Sequence, residues 1–401
     1  MKVLLDDDAF DGQLLRVVGG IYEKGAEYGE CWSTANRIKA HDVESWHREW
    51  KATAIRIENI AKAALDKNHK VTAHEAYLRA SMYYRCSGQF FIGNPKETRT
   101  LTAFQNTERC FQEAMKLATD VKCESVKIPY EGKSLPAYFI TPAHSQRSGQ
   151  TIIVNGGYDS VKEECYFFSG AAAVRRGFNV LLFDGPGQGL PLLQDNLLTT
   201  PEWENVITPV VDYLYTRQDV DKSKIAALGI SLGGYQIPRA VTKEKRISAI
   251  IVDPAQITIG MKARARLPLP ASWKASFPKG TPSIAVYIIS TLLGRMASDP
   301  SGGWTLRRNM HVHGLKDLVD MFDEMDRFKL DPKLVTCPVF VAFAEKDFIA
   351  SEAKKFYDTC GSEKKVFVQY REVDGSHEHC EAGNRSSFNG DWLDWLEELW
   401  V

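Results

Sequence analysis

No apolar run in this 401-residue chain approaches the ~20 residues needed to cross a bilayer. Nor is there an excess of charge of one sign. Fifty Lys and Arg against 51 Asp and Glu leave a formal net charge of -1. Neither nucleic acid nor a membrane is therefore an expected partner. The opening, MKVLLDDDAF, has too short an apolar stretch and too many acids for a secretory signal, so a cytoplasmic location is expected. The eight cysteines form no Cys-x-x-Cys pair, which argues against a zinc site or a disulfide framework. Internal repeats and low-complexity segments are also missing. What remains is ordinary for a globular protein, at 44% hydrophobic and 25% charged residues, with length enough for a large core and an appended domain.

The pattern along the chain changes once. Residues 1–122 read as helical, with Trp46, Trp50, Ile55, Ile57 and Ile60 in one long amphipathic stretch and Tyr77, Met82, Tyr83 and Tyr84 in a second. These aromatics read first as packing residues. From residue 123 short strands take over. Ser125–Pro129 and Leu135–Thr141 flank Glu131-Gly132-Lys133, a predicted hairpin. Buried-strand runs follow at Thr151–Asn155, Asn179–Phe183, Ile225–Ile230, Ala249–Val252, Val339–Phe343 and Val366–Val373. Helical stretches such as Glu164–Arg176 and Trp203–Arg217 separate most of them, predicting an α/β domain over 123–401 with a mostly parallel sheet. Residues 256–332, rich in proline and carrying Trp273 and Trp304, interrupt the alternation as a helical insertion suited to a lid.

The strand Ile225–Ile230 runs directly into Gly229-Ile230-Ser231-Leu232-Gly233, and a helical run follows. Strand, Gly-x-Ser-x-Gly, helix is the nucleophile-elbow pattern. A serine hydroxyl is a weak nucleophile, so it must be aimed and paired with a base. The elbow aims Ser231, and the following helix points the Leu232 N–H toward a reacting carbonyl oxygen. Such a nucleophile is followed in chain order by an acid and a histidine. Asp347 lies just past the strand Val339–Phe343, with Glu345 as its competitor. The final strand leads to His377 and His379, between which spacing does not choose. A His-x-His pair also suggests metal, but no further ligand cluster accompanies it, so neither metal nor cofactor is expected. The loop Asn155-Gly156-Gly157-Tyr158-Asp159-Ser160 is placed to supply the second oxyanion donor, the N–H of Gly157 or Tyr158. Asp159 reads either as a site acid or as a loop or capping residue. The turn Phe183-Asp184-Gly185-Pro186-Gly187-Gln188-Gly189 reads as mainly structural.

Taken together, these segments resemble the FrsA-like branch of the α/β-hydrolases. That branch includes fungal hydrolases that shorten heptaketides in pigment synthesis and bacterial dihydroxypseudooxynicotine hydrolase. The matching residues are His74-Glu-Ala-Tyr-Leu-Arg-Ala-Ser-Met-Tyr-Tyr-Arg85, Gly156-Gly-Tyr-Asp-Ser160 with Glu163-Glu164, Phe183 to Gly189, Pro201-Glu-Trp-Glu204, the elbow, and His379-Cys380. The resemblance implies Ser231 as nucleophile, Asp347 as acid and His379, from the His-Cys pair, as base. It implies an auxiliary, substrate-facing role for Asp159, where the bacterial C–C hydrolase has a glutamate, with Tyr158 beside it. The activity implied is hydrolysis of a C–C bond next to a ketone, on a polyketide-like small molecule. An esterase or thioesterase is the alternative, and a non-catalytic scaffold the third reading. Dimerisation through the helical N-terminal region is also implied.

Overall fold

The computed structural model describes residues 1–145 and 147–401. Five helices come first: α1 (Asp8–Val18), α2 (Tyr28–Ala35), α3 (Val43–Asp66), α4 (Lys70–Ser87) and α5 (Thr98–Leu117). Carboxylates start four of them, with Glu27 accepting the Tyr28 N–H at the head of α2. Asp7 accepts the Ala9 and Phe10 N–H groups, Asp42 that of Ser45, and Glu97 that of Arg99, which satisfies amides the first turn leaves unpaired. In α3 the helical repeat sorts the apolar residues. Trp46, Trp50 and Ile57 are fully buried, whereas Ile55 and Ile60 fall on the outer face and are 42% and 41% exposed. Tyr77, Met82, Tyr83 and Tyr84 of α4 are all buried. The indole of Trp46 donates to the Cys86 carbonyl at 2.8 Å, giving its one polar atom a partner in the core.

Eight strands follow in the order β1-β2-β4-β3-β5-β6-β7-β8. The antiparallel hairpin of β1 (Val121–Tyr130) and β2 (Lys133–Pro142) forms one edge. Its turn is only two residues, Glu131-Gly132, both at positive φ as a twisted hairpin demands. Lys133, expected in the turn, already pairs with Tyr130. From β4 (Asn179–Phe183) through β3 (Thr151–Asn155), β5 (Ile225–Ile230), β6 (Ala249–Asp253), β7 (Val339–Ala344) and β8 (Lys365–Tyr370) the pairing is parallel. β8 is shorter than expected. Its last partner is Ala344, the end of β7, so residues past Tyr370 have no ladder to join and turn into a short 3₁₀ helix over Glu372–Asp374.

The apolar runs are continuous because the central strands are covered on both faces. Ile152, Val154, Leu182 and Leu228 face a cluster that takes in Phe10, Trp46, Trp50 and Tyr83. Ile153, Leu181 and Ala227 face Trp203, Val206, Val210 and Tyr235. The N-terminal helices and the sheet thus share one continuous apolar core. Between β6 and β7 lie helices Gly260–Ala265, Ala271–Lys274, Ser283–Ser298, Trp304–His313 and Asp320–Met325, packed partly on their own small core of Leu267, Phe277, Ile289, Val319 and Phe322. Trp304 meets Phe90 edge-on at 5.5 Å and ties this segment to the N-terminal helices. No helix among the described residues is long and apolar enough to cross a membrane.

Glu58 links three of the first helices. It accepts hydrogen bonds from Tyr84 of α4 at 2.7 Å and from both terminal nitrogens of Arg109 of α5 at 2.9 Å. Burial pushes its carboxyl up, but the bonds from Arg109, Lys62 and Tyr84 outweigh this and bring it to about 2. The ionised form is the one the fold favours, so its contribution is full above the ordinary value of 4.5 and fades as pH falls toward 2. Glu58→Gln is expected to cost about 1–2 kcal/mol at neutral pH, discounted for the half-exposed Arg109. Urea unfolding at a series of pH values checks both the loss and its decline below pH 4.5.

Candidate active site

The turn after β5 is crowded. A side chain on Gly229 would strike the Gly233 carbonyl, and one on Gly234 would strike that of Pro254. Between them Ser231 is held at φ 59°, with its N–H donated to the Asp253 carbonyl at 2.7 Å. The Gln256 side chain donates to the Ser231 carbonyl at 2.8 Å.

The three residues read as nucleophile, acid and base meet here. His379 Nε2 lies 2.9 Å from Ser231 Oγ, and His379 Nδ1 lies 2.7 Å from Asp347 Oδ2. Donation of Nδ1–H to the carboxylate leaves Nε2 free to accept from the serine hydroxyl. The second oxygen of Asp347 accepts the Ile349 N–H at 3.0 Å, which fixes the carboxylate plane. Burial pulls the imidazolium down, but the charge and hydrogen bond of Asp347 outweigh it, so His379 sits above its ordinary 6.5. The competitors lie elsewhere. Glu345 is exposed and accepts the Glu372 N–H at 2.9 Å. His377 is buried and lies 3.2 Å from Glu378. Behind the site Arg385 donates to the Cys380 carbonyl, and Cys380 and Glu381 turn through positive φ to present His379. Asp253 and Glu381 are fully buried there, and burial pushes both carboxyls up.

The loop after β3 differs from expectation in two respects. The Gly157 N–H is already donated to Ser160 Oγ at 3.0 Å. The Tyr158 and Leu232 N–H groups donate to no acceptor among the described residues. Of the two candidates, Tyr158 rather than Gly157 therefore offers the unspent amide beside Leu232. Gly157 instead provides closeness: a Cβ there would lie 2.7 Å from that of Ser231. The second difference concerns Asp159, expected as an auxiliary acid. Arg16 Nη1 donates to it at 2.9 Å, Gln89 donates to the same oxygen, and Arg85 donates to its carbonyl at 3.0 Å. Burial raises its carboxyl, but Arg16, Arg308 and Arg85 together hold it well below the usual carboxylate range. Its surroundings favour the ionised carboxylate. Tyr158 donates or accepts at His313 Nε2, 2.9 Å away, with its ring beneath the Arg308 guanidinium.

Several residues here had no role in the sequence reading. Gln188, in the turn read as structural, donates to the Gly156 and Gly157 carbonyls at 3.0 and 2.9 Å and braces the loop. Arg16 comes from α1, Arg85 from α4 and Arg308 from the helix Trp304–His313, so three distant segments converge on one loop. In sequence each looks like a surface cation on a helix. Arg85 lies within the run that carried the family resemblance, and it is fully buried. No group of three or more His, Cys, Asp or Glu side chains is placed to hold a metal among the described residues.

His379→Ala is expected to lower the rate of fluorophosphonate labelling by about a thousandfold or more, and Ser231→Ala to abolish it, whereas His377→Ala stays near wild type. Because a raised histidine is protonated, and so inactive as a base, at higher pH than usual, the acid limb of kcat/KM on p-nitrophenyl butyrate is expected above pH 6.5.

The model of the α/β hydrolase family matches residues 152–380, and the FrsA-like esterase model matches residues 37–262. Hydrolase LUC6 of Fusarium sp is 30% identical across 99% of this chain and 98% of its own. The 20-hydroxy-prefusarin hydrolase FUS2 of Gibberella moniliformis is 36% identical over 68% of this chain and 66% of its own. Among solved structures, 2,6-dihydroxy-pseudo-oxynicotine hydrolase superposes with a TM-score of 0.73 at 19% identity, covering 94% of both chains, a likeness of fold. With sheet order, elbow and family models in agreement, the chain belongs to the α/β-hydrolase family and is a hydrolase of its FrsA-like branch.

Proposed function

We propose that this protein is a serine hydrolase that cleaves a C–C bond next to a ketone, in a β-dicarbonyl or aryl ketone of polyketide type. The observation that carries the reading is the unbroken path from Ser231 Oγ through His379 to Asp347, at 2.9 and 2.7 Å, beside two unspent backbone amides. Ser231 Oγ attacks the ketone carbon as His379 Nε2 takes its proton. The oxyanion is received by the N–H groups of Leu232 and Tyr158. The C–C bond then breaks, its electron pair passing to the α-carbon as an enolate, which takes the proton from His379. Water, deprotonated by His379, hydrolyses the acyl-serine. The sum is one ketone and one water giving a carboxylic acid and a smaller ketone. Asp347 holds the imidazole tautomer and offsets the imidazolium charge. Residues 1–122 and the 256–332 insertion act as the cap and lid over the hydrolase domain of 123–401.

A simple alkyl carbanion is too poor a leaving group for this route, and an enolate is a feasible one. The relative named for 20-hydroxy-prefusarin supports a small-molecule, secondary-metabolite substrate. Ester cleavage is the second reading, favoured by the match to the FrsA-like esterase model, because the same residues serve both bonds. Benzoylacetone and p-nitrophenyl butyrate separate them. The proposal expects the wild type to convert benzoylacetone to one carboxylic acid and one ketone, identified by mass spectrometry, and Ser231→Ala to lose this activity. Hydrolysis of the ester with the diketone untouched would establish the esterase reading instead.

A further inference from the structure

Arg16, Arg85 and Arg308 face two carboxylates, Asp159 and Glu164, so this buried cluster carries more positive than negative charge. The three cations are not held equally. Arg16 spends its terminal nitrogens on Asp159 and Glu164. Arg85 is fully buried, donates to the Asp159 carbonyl and lies 3.4 Å from Glu164. Arg308 is held more loosely, by an ion pair to Asp159 without a hydrogen bond. Its Nε and Nη2 share a neutral acceptor, Asn309 Oδ1, at 3.2 and 2.8 Å. Its Nη1 reaches no acceptor among the described residues, and the Asp159 carboxylate stands off at 3.7 Å.

Only 12% of the Arg308 side chain is exposed. The guanidinium lies 4.8 Å from the ring of Tyr158 and 5.0 Å from that of Trp304. Those rings constrain its plane, and its N–H donors project from the edge of that plane. A guanidinium edge matches a planar pair of oxygens sharing a negative charge. A largely buried cation whose ion pair lacks a hydrogen bond is incompletely compensated, and a ligand that supplies a closer anion completes it. The place is also significant. Tyr158 follows Gly157, which abuts Ser231, and its amide is one of the two unspent donors.

We propose that Arg308 is the anion subsite of the substrate pocket, receiving a carboxylate or an ionised enol carried by the molecule that Ser231 attacks. This deepens the reading of Ser231 as the nucleophile and rests on it for the position of the pocket. Asp159 then has a defined task. It fixes Arg16 on one side and keeps Arg308 in place without neutralising it through a direct hydrogen bond.

Isothermal calorimetry with phenylbutanoate and its uncharged isostere phenylbutanamide tests this without requiring turnover. The wild type is expected to bind the acid at least about tenfold tighter than the amide, a charge-assisted pairing worth one decade or more. In Arg308→Met the two affinities are expected to converge to within about twofold, and Arg308→Lys is expected to retain part of the preference. Benzoylacetone distinguishes the sources of the anion. If its wild-type affinity rises with pH as the diketone ionises, and does not in Arg308→Met, the subsite accepts enolates. If only the acid shows the preference, it takes carboxylates. Equal wild-type affinities for acid and amide, or a preference that survives in Arg308→Met, would overturn the proposal. Should Arg308→Met fail to fold, Arg308→Lys decides, an undiminished preference in that variant counting against the proposal. Failure of C–C cleavage would leave the calorimetric result standing, so the two readings fail separately.

Discussion

Ser231 holds a left-handed backbone because the turn after β5 is hemmed in by backbone, not by yielding side chains. The carbonyls of Gly233 and Pro254 approach so closely that glycine is required at 229 and 234, and the Asp253 carbonyl fixes the Ser231 amide. A non-glycine residue at positive φ costs about 1–3 kcal/mol, so the surroundings must over-determine it. They do so through the sheet. β5 is central, with β3 on one side and β6 on the other, and those neighbours supply the loop at Gly157 and the carbonyl of Asp253. The same strand spacing sets the distance from Ser231 to Asp347 at the end of β7 and to His379 beyond β8. Strain at one residue is thus borne by the whole parallel stack.

A second layer of organisation is electrostatic. Helices α1 and α4 and the helix Trp304–His313 have little in common except the Asp159 loop, to which each sends an arginine. Packing brings them near: Phe90 against Trp304, Trp46 against Phe90, and the shared core beneath. Charge then sets their register. Arg16 reaches both Asp159 and Glu164, two residues of one loop-to-helix transition, so α1 cannot shift without breaking one pair. Gln188 secures the same loop from the opposite side through neutral hydrogen bonds. The amides of Leu232 and Tyr158 remain unspent because neighbouring groups satisfy the rest of the loop.

How much of this could be read from residues alone follows from the range of each interaction. Ser231 and Asp347 lie at strand ends, and strand ends are marked by runs such as Ile225–Ile230 and Val339–Phe343, so their convergence was visible. His379 needed the neighbouring Cys380 and a family pattern, because His377 lies equally near the strand. The choice between the Gly157 and Tyr158 amides was not legible, because it depends on Ser160, three residues on, which takes the Gly157 N–H. The surroundings of Asp159 were not legible, because its cage comes from distant segments. Arg16 is 143 positions away and Arg85 lies in another helix, and no periodicity announces that a helical arginine points inward. The fold was more legible than the site's charge for that reason. Apolar patterning records which face is buried, whereas an ion pair between distant segments leaves no local trace.

The span of these contacts has a consequence for synthesis. Ser231 and His379 are 148 residues apart in sequence, and Asp159 is nearly as far from Arg16. A growing chain therefore exposes its serine well before the histidine that faces it has been translated. The hydrogen bond to His379 forms only when the last strand has joined the sheet. The contact between Ser231 and His379 can therefore form only after residue 379 has been added to the chain.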